Sequence, residues 1–273
     1  MHKFHGEAEH MRDNRLRELF GAGETVVNAW VSADSAYLAE TLSHAGFDSV
    51  TVDLQHGMFG LDGAVRLLQA VSAGPAVPLA RTPALDAAVI GKLLDAGAYG
   101  IICPAVDDPV QAARFVAMCR YPPAGVRSYG PARANLAQVP GYVEQADAQI
   151  LTWAMIESRA ALDAVEEIAS TPGLDGVFVG PNDLALALGV EPGRAVPPPE
   201  VEAALARIAE AAHAAGRIAG AFALGTEAAL RLTGQGYDFV TPGGDMAILR
   251  RAAAEAVAAV RGTAVTTAPS GGY

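Results

Sequence analysis

The sequence predicts a single (β/α)8 TIM barrel, and three observations carry that prediction. Eight short apolar runs alternate with Ala/Leu-rich amphipathic stretches along the 273-residue chain, the count and size of such a barrel. The runs are almost continuously apolar, as parallel strands covered on both faces must be. Many of the amphipathic stretches end in Ala-Gly or another glycine, the usual left-handed stop of a helix. The composition, 51% hydrophobic and 18% charged, is enough for one large core. A doubly wound open sheet is the rival architecture. It would carry a glycine-rich phosphate loop after its first strand, and "VSADSAY" is not one.

In order along the chain, residues 1–15 are polar and read as an N-terminal arm without the apolar stretch of a signal peptide. The barrel domain is assigned to 16–261 and a flexible tail to 262–273. The first strand is "TVVNAWV" (25–31), followed by the helix "SAYLAETLSHAG". "SVTVDL" (49–54) and "VPLAR" (77–81) come next, the latter followed by the helix "AAVIGKLLDAGA". "GIICPA" (100–105) is the fourth strand. "ILTWAMI" (150–156) is the fifth and leads into "RAALDAVEEIAS". "GVFVG" (176–180), "IAGAFA" (218–223) and "DFVTP" (238–242) complete the set. Two segments break the rhythm. Residues 120–142 form a loop with Arg120, Arg127, Arg133, Tyr121 and Tyr129, and connections of that length are usually functional or disordered. Residues 189–202 form a Pro-rich entry to a long helix.

A formal net charge of −11 disfavours nucleic acid and anionic membrane as partners. No apolar run approaches bilayer length, so a cytoplasmic protein is expected. Two cysteines build neither a disulfide framework nor a zinc site, and Cys103, after an apolar run, reads as a buried thiol.

Barrel active sites sit where the strands end, because the βα loops converge there. The polar residues at those ends are Asp53, Gln55 and His56 after the second strand, Arg81 after the third and Glu157 after the fifth. "GPND" follows the sixth with Asn182 and Asp183, and Asp245 follows the eighth. Glu157 and Asp183 end consecutive strands. Two adjacent carboxylates, with water and substrate oxygens, are how a hard divalent cation is held. Each acid alone is equally readable as an ordinary helix-start residue. The backbone N–H groups of Asn182 and Asp183 open a short helix and are placed to receive a carboxylate, unless "GPND" is a plain turn. Arg81 is either a structural partner or a grip on an oxyanion. Of six histidines only His56 ends a strand. It reads as a structural histidine, or with Asp53 as a dyad for general-base work.

In this order the residues resemble the HpcH/HpaI family of metal-dependent (class II) pyruvate aldolases. The resemblance covers about 16–261. It rests on "DLQHG" (53–57), "LARTPALD" (79–86), "LLDAGAYGIICPAVDDPVQA" (93–112), "CRYPPAGVRSYGPARA" (119–134), "MIESRAALD" (155–163) and "GVFVGPNDLALALG" (176–189). It implies a barrel of the phosphoenolpyruvate/pyruvate type whose C-terminal helix is exchanged between subunits, in a homohexamer built as a trimer of dimers. It implies Mg²⁺, Mn²⁺ or Co²⁺ on Glu157 and Asp183. Arg81 would contact the keto or enolate oxygen, and the Gly180–Pro181–Asn182–Asp183 turn would take the substrate carboxylate. His56 with Asp53 would manage protons through a metal-bound water. Asp95 matches an acid that reaches the neighbouring subunit's site. The family often has an acid at the position of Gln55 and a glutamine at that of Met155, so substrate range is where this chain departs. The absence of a Schiff-base lysine agrees, since Lys92 is the only lysine beyond the arm and lies within a helix.

The implied activity is reversible aldol cleavage of a 4-hydroxy-2-oxo acid to pyruvate, or a related 2-oxo acid, and an aldehyde. The aldehyde pocket is expected from the 120–142 loop and a neighbouring subunit. A citramalyl- or malyl-CoA-type lyase of the same fold would need a basic patch for CoA phosphates, and the sequence offers none. A non-catalytic oxo-acid-binding barrel would not need Glu157, Asp183, Arg81 and His56 all in place.

Overall fold

Runs of Val, Ile, Ala and Phe without polar alternation pair as eight parallel strands in the computed structural model, which describes residues 13–136, 141–194 and 196–264. The strands are β1 (Val26–Val31), β2 (Ser49–Asp53), β3 (Val77–Arg81), β4 (Gly100–Cys103), β5 (Leu151–Met155), β6 (Gly176–Val179), β7 (Ile218–Phe222) and β8 (Phe239–Thr241). They close in sequence order, β8 pairing with β1. Each boundary falls within two residues of the sequence expectation.

The helices are α1 (Arg15–Gly21), α2 (Ala36–Ser43), α3 (Leu61–Ser72), α4 (Ala87–Asp95), α5 (Pro109–Cys119) and α6 (Tyr142–Gln149). α7 (Arg159–Asp163), α8 (Val165–Ala169), α9 (Pro181–Ala187), α10 (Pro199–Ala214), α11 (Thr226–Gly234) and α12 (Asp245–Arg261) follow. Side-chain caps start several of them. Asp86 accepts from Ala88 and Val89, and Asp108 accepts from Gln111 ahead of Pro109 at the first helical position. The single helix expected after β5 is divided at Ala164, which leaves helical geometry at φ −102°, ψ 16°.

The floor of the barrel is aromatic. Trp153 stacks on Phe239 at 5.0 Å, and Phe20 of α1 meets both rings edge-on from below. Gly176 makes room for Trp153: a Cβ there would lie 2.5 Å from the Ile218 carbonyl and 2.6 Å from the indole. A buried polar knot joins β1, β2 and β8. Asn28 donates to Thr241 and accepts from Ser49 and Thr51. Every member has a partner, which is what permits polar atoms so deep in the core.

The folded unit begins earlier than expected. Asn14 is buried, caps α1, and donates to the carbonyls of Tyr99 and Gln149. The rest of the expected arm (1–12) and most of the tail (265–273) lie outside the described residues. At the other end, α12 buries only Asp245 and Ala258 in 17 residues and exposes Met246, Leu249, Val257 and Val260. Among the described residues, no helix is long and apolar enough to cross a membrane.

Candidate active site

The mouth is built from the strand ends outward. β2 and β3 pair in register with Asp53 opposite Arg81. Both side chains are wholly buried, and the carboxylate takes Arg81 Nε at 2.7 Å and Nη2 at 2.6 Å. Such a fork-to-fork pair fixes direction as well as charge. Trp30 completes the arrangement: its ring lies 4.8 Å from the guanidinium carbon, and its Nε1–H donates to Asp53 at 3.1 Å.

This geometry revises the expected Asp53–His56 dyad. Asp53 reaches His56 at the backbone N–H (3.4 Å) and also accepts from the backbone N–H of Gln55 (3.1 Å). The carboxylate therefore shapes the turn that carries His56 while gripping Arg81. His56 itself is exposed on that turn. Gln55 leaves its Oε1 buried without a hydrogen-bond partner.

Across the mouth, Glu157 and Asp183 come together as expected. A Cβ built on Gly180 would lie 3.5 Å from Glu157 Oε2 and 3.5 Å from Asp183 Oδ2, so the two oxygens are within about 7 Å of each other. Met155 closes the underside, its methyl 3.4 Å from the same point. Glu157 Oε1 accepts the backbone N–H of Ala105 at 2.8 Å. Burial pushes the Glu157 carboxyl up from its ordinary value. The Ala105 hydrogen bond opposes this, Asp183 adds to it, Arg81 opposes it and Asp107 adds to it. Arg81, Asp183 and Asp107 are thus all within electrostatic reach of Glu157.

α9 starts at Pro181 with no side-chain cap, so its first backbone N–H groups have no intrahelical acceptor. The Asn182 side chain points elsewhere, accepting from the backbone N–H of Gly193 at 2.9 Å and pinning the loop before α10.

The donor set suits a hard cation. Two carboxylate oxygens converge over a residue without a Cβ, and Mg²⁺ is commonly held by one or two carboxylates with water and substrate filling the remainder. Among the described residues, no group of three or more His, Cys, Asp and Glu side chains converges on a metal position.

Asp245 does not join the mouth as its strand-end position suggested. Asp245 is buried and its carboxylate accepts from Ser32 N–H, Ser32 Oγ–H and Ala33 N–H, tying the start of α12 to the loop after β1. It is a structural clamp. The loop following α5 lies at the opposite end of the barrel, because each helix carries the chain back to the strand N-termini. Its arginines serve the chain itself. Arg120 pairs with Asp175, Arg133 donates to the Ala96 carbonyl, and Arg127 lies over Tyr121 and pairs with Asp95 at 2.9 Å. This loop and Asp95, the last residue of α4, are therefore remote from the mouth of their own barrel. Residues 137–140 of the loop lie outside the described residues. Both cysteines are buried free thiols, as expected for Cys103.

Sequence comparison places this site among known proteins. Residues 27–252 match the family model described as HpcH/HpaI aldolase/citrate lyase. A hydroxypyruvate/pyruvate aldolase of Rhizorhabdus wittichii is 40% identical, over 91% of this chain and 99% of that protein. A 4-hydroxy-2-oxovalerate aldolase of Rhodococcus jostii is 35% identical, over 87% of this chain and 92% of its own length. The crystal structure of an HpcH/HpaI aldolase/citrate lyase family protein from Burkholderia cenocepacia J2315 superposes with a TM-score of 0.85 at 35% identity. It covers 91% of this chain and 99% of that one.

Proposed function

The chain belongs to the HpcH/HpaI aldolase/citrate lyase family, and from that premise we propose that it is a divalent-metal-dependent aldolase. It cleaves 4-hydroxy-2-oxo acids to pyruvate, or a related 2-oxo acid such as hydroxypyruvate, and an aldehyde. The observation that carries this reading is the convergence of Glu157 Oε2 and Asp183 Oδ2 over Gly180, with Arg81 in electrostatic range.

Cleaving the C3–C4 bond leaves its electron pair on C3, delocalised as an enolate onto the 2-oxo oxygen. Glu157 and Asp183 would hold a divalent cation, which would supply Lewis acidity for the developing enolate. Arg81, fixed by Asp53 and Trp30, contributes a preorganised positive charge toward the developing oxyanion. The Asn182 and Asp183 N–H groups orient the substrate carboxylate. His56 takes the C4 hydroxyl proton as the aldehyde forms, and protonation at C3 then releases the 2-oxo acid. Asp53 acts by holding the His56 turn and Arg81 in place.

The same reading makes the active unit an oligomer. The uncovered apolar face of α12 suits exchange of that helix with a second copy, and Asp95 and the loop after α5 reach a mouth only if it belongs to another subunit. A homohexamer, arranged as a trimer of dimers, is the proposed assembly; a monomer in solution at micromolar concentration contradicts it.

The test of the activity is deuterium exchange into the methyl group of pyruvate, followed by aldol addition to a panel of aldehydes. Excess chelator should abolish both, and Mg²⁺, Mn²⁺ or Co²⁺ should restore them. Full activity in excess chelator removes the metal from the reading.

A further inference from the structure

We propose that Asp107 and Ser158 are positioning residues which, together with the backbone N–H of Ala105, aim one oxygen of Glu157 at Asp183. This rests on the two-carboxylate reading of the site given above.

The loop after β4 and the loop after β5 are tied together on both sides of Glu157. On one side, the Ala105 N–H donates to Glu157 Oε1 at 2.8 Å. On the other, the Ser158 hydroxyl donates to Asp107 Oδ1. With Oε1 held by the backbone, Oε2 is the oxygen that faces Asp183 Oδ2 over Gly180. A carboxylate tethered in this way presents a single, directed oxygen.

The tie is anchored deeper on each side. Ser158 Oγ also accepts from Ala161 N–H at 3.0 Å, so the same oxygen caps α7 and grips the neighbouring loop. The Asp107 N–H donates to Gln111 Oε1 at 3.1 Å, and Asp108 caps α5, so Asp107 stands on the fixed entry of that helix. Two residues before Asp107, Ala105 has φ +52°, a left-handed conformation that is unfavourable for a residue with a Cβ. Such a conformation persists only where its surroundings over-determine it, and it tends to occur at working sites. Here it turns one N–H toward Glu157.

This matters because Mg²⁺ and Mn²⁺ demand near-ideal ligand directions, and outer partners of ligands typically set metal affinity by about 10- to 100-fold. Neither Asp107 nor Ser158 needs to touch substrate to do so.

Mn²⁺ titration of the metal-free protein, followed by the spin-resonance signal of free Mn²⁺, reads this directly, with thermal melts of the metal-free proteins run alongside. Asp107→Ala and Ser158→Ala should each weaken Mn²⁺ binding about tenfold or more. The double variant should bind no worse than the weaker single one, since both break the same tie. Asp107→Asn retains the acceptor and Ser158→Thr retains the hydroxyl, so both should stay near wild-type affinity with metal-free melting temperatures unchanged. Wild-type affinity in either alanine variant overturns the proposal. So does Asp107→Asn binding as weakly as Asp107→Ala, which would assign the effect to charge. If the double variant's losses multiply, the two residues act separately and the proposal fails. Glu157→Gln is the control for the parent reading: if it binds Mn²⁺ like wild type, the two-carboxylate site itself falls, and the positioning role with it.

Discussion

Replacing Asp53 with alanine should destabilise the whole barrel as well as the active site. Its carboxylate is wholly buried and takes two N–H groups of the equally buried Arg81, the Trp30 indole N–H and two backbone N–H groups of the His56 turn. Removing one partner of a buried ion pair costs about 3–5 kcal/mol, because the other charge stays out of water. Depriving the Trp30 N–H of its acceptor adds roughly 1 kcal/mol or more. The total of about 5 kcal/mol is a large part of the roughly 5–15 kcal/mol by which domains are stable. With a guanidinium slope on the order of 5 kcal/mol/M, the unfolding midpoint should fall by about 1 M. Trp30 and Trp153 are both buried, so their fluorescence reports the transition. Asp53→Ala/Arg81→Met removes both charges and should recover at least half of the loss. Arg66→Ala, which breaks an exposed pair with Asp34, should shift the midpoint by no more than an exposed pair's contribution of about 0.5 kcal/mol. A midpoint for Asp53→Ala within about 0.2 M of wild type would show that burial of the pair is not what makes it important. A double variant as unstable as the single one would show the same.

Burial pushes the Cys119 thiol up to about 12 and the Cys103 thiol higher still. At pH 8 only about one Cys119 in ten thousand is then thiolate, so a disulfide-exchange reagent should label neither cysteine in the native protein and both in guanidinium. Native labelling at pH 8 would contradict that placement. Gly176→Ala forces a methyl to 2.5 Å from the Ile218 carbonyl and should cost about 3 kcal/mol or more. Gly91→Ala, in an open position of α4, should instead stabilise by about 0.5–1 kcal/mol. Thermal melts that rank the two the other way would refute the packing account of the floor. His56→Ala should slow aldol cleavage by about a hundredfold with little change in melting temperature, because the side chain is exposed; cleavage and pyruvate methyl exchange both at the normal rate would make His56 structural.

The barrel was legible because its signal is local and repeated. β3, "VPLAR", is found at its expected limits, and glycine-terminated helices such as the one ending near Gly97 needed no long-range information. The floor was less legible. Phe20 lies in a helix that precedes the barrel, and only closure brings it beneath Trp153 and Phe239. The loop after α5 was only half legible for a related reason. Its length and arginines mark it as special, but which end of the barrel it occupies follows from counting helix returns. Once that is done, the partners of Arg120 and Arg127, Asp175 just before β6 and Asp95 at the end of α4, fall at the end of the barrel where strands begin.

At the site, sequence spacing pointed to residues that the strand ends do bring close together, and it paired Asp53 with His56 where the side-chain pairing is with Arg81. Asp53 and His56 are three apart, so they look like a dyad. The stronger relation is across strands, where barrel register sets Asp53 opposite Arg81. A signal for this existed: an acid and a base at the last positions of adjacent parallel strands have opposite charge and equivalent depth. The tie between Asp107 and Ser158 had only half of such a signal. "DDP" marks Asp108 as the cap and leaves Asp107 unexplained, while Ser158 is explained completely as the cap of α7. What joins them is the adjacency of β4 and β5, which brings two unrelated helix starts side by side. The ends of neighbouring strands in a closed barrel therefore work as a second alphabet. Residues that look surplus to their own helix cap are the ones to pair with the cap next door, and here that pairing falls on the two flanks of Glu157.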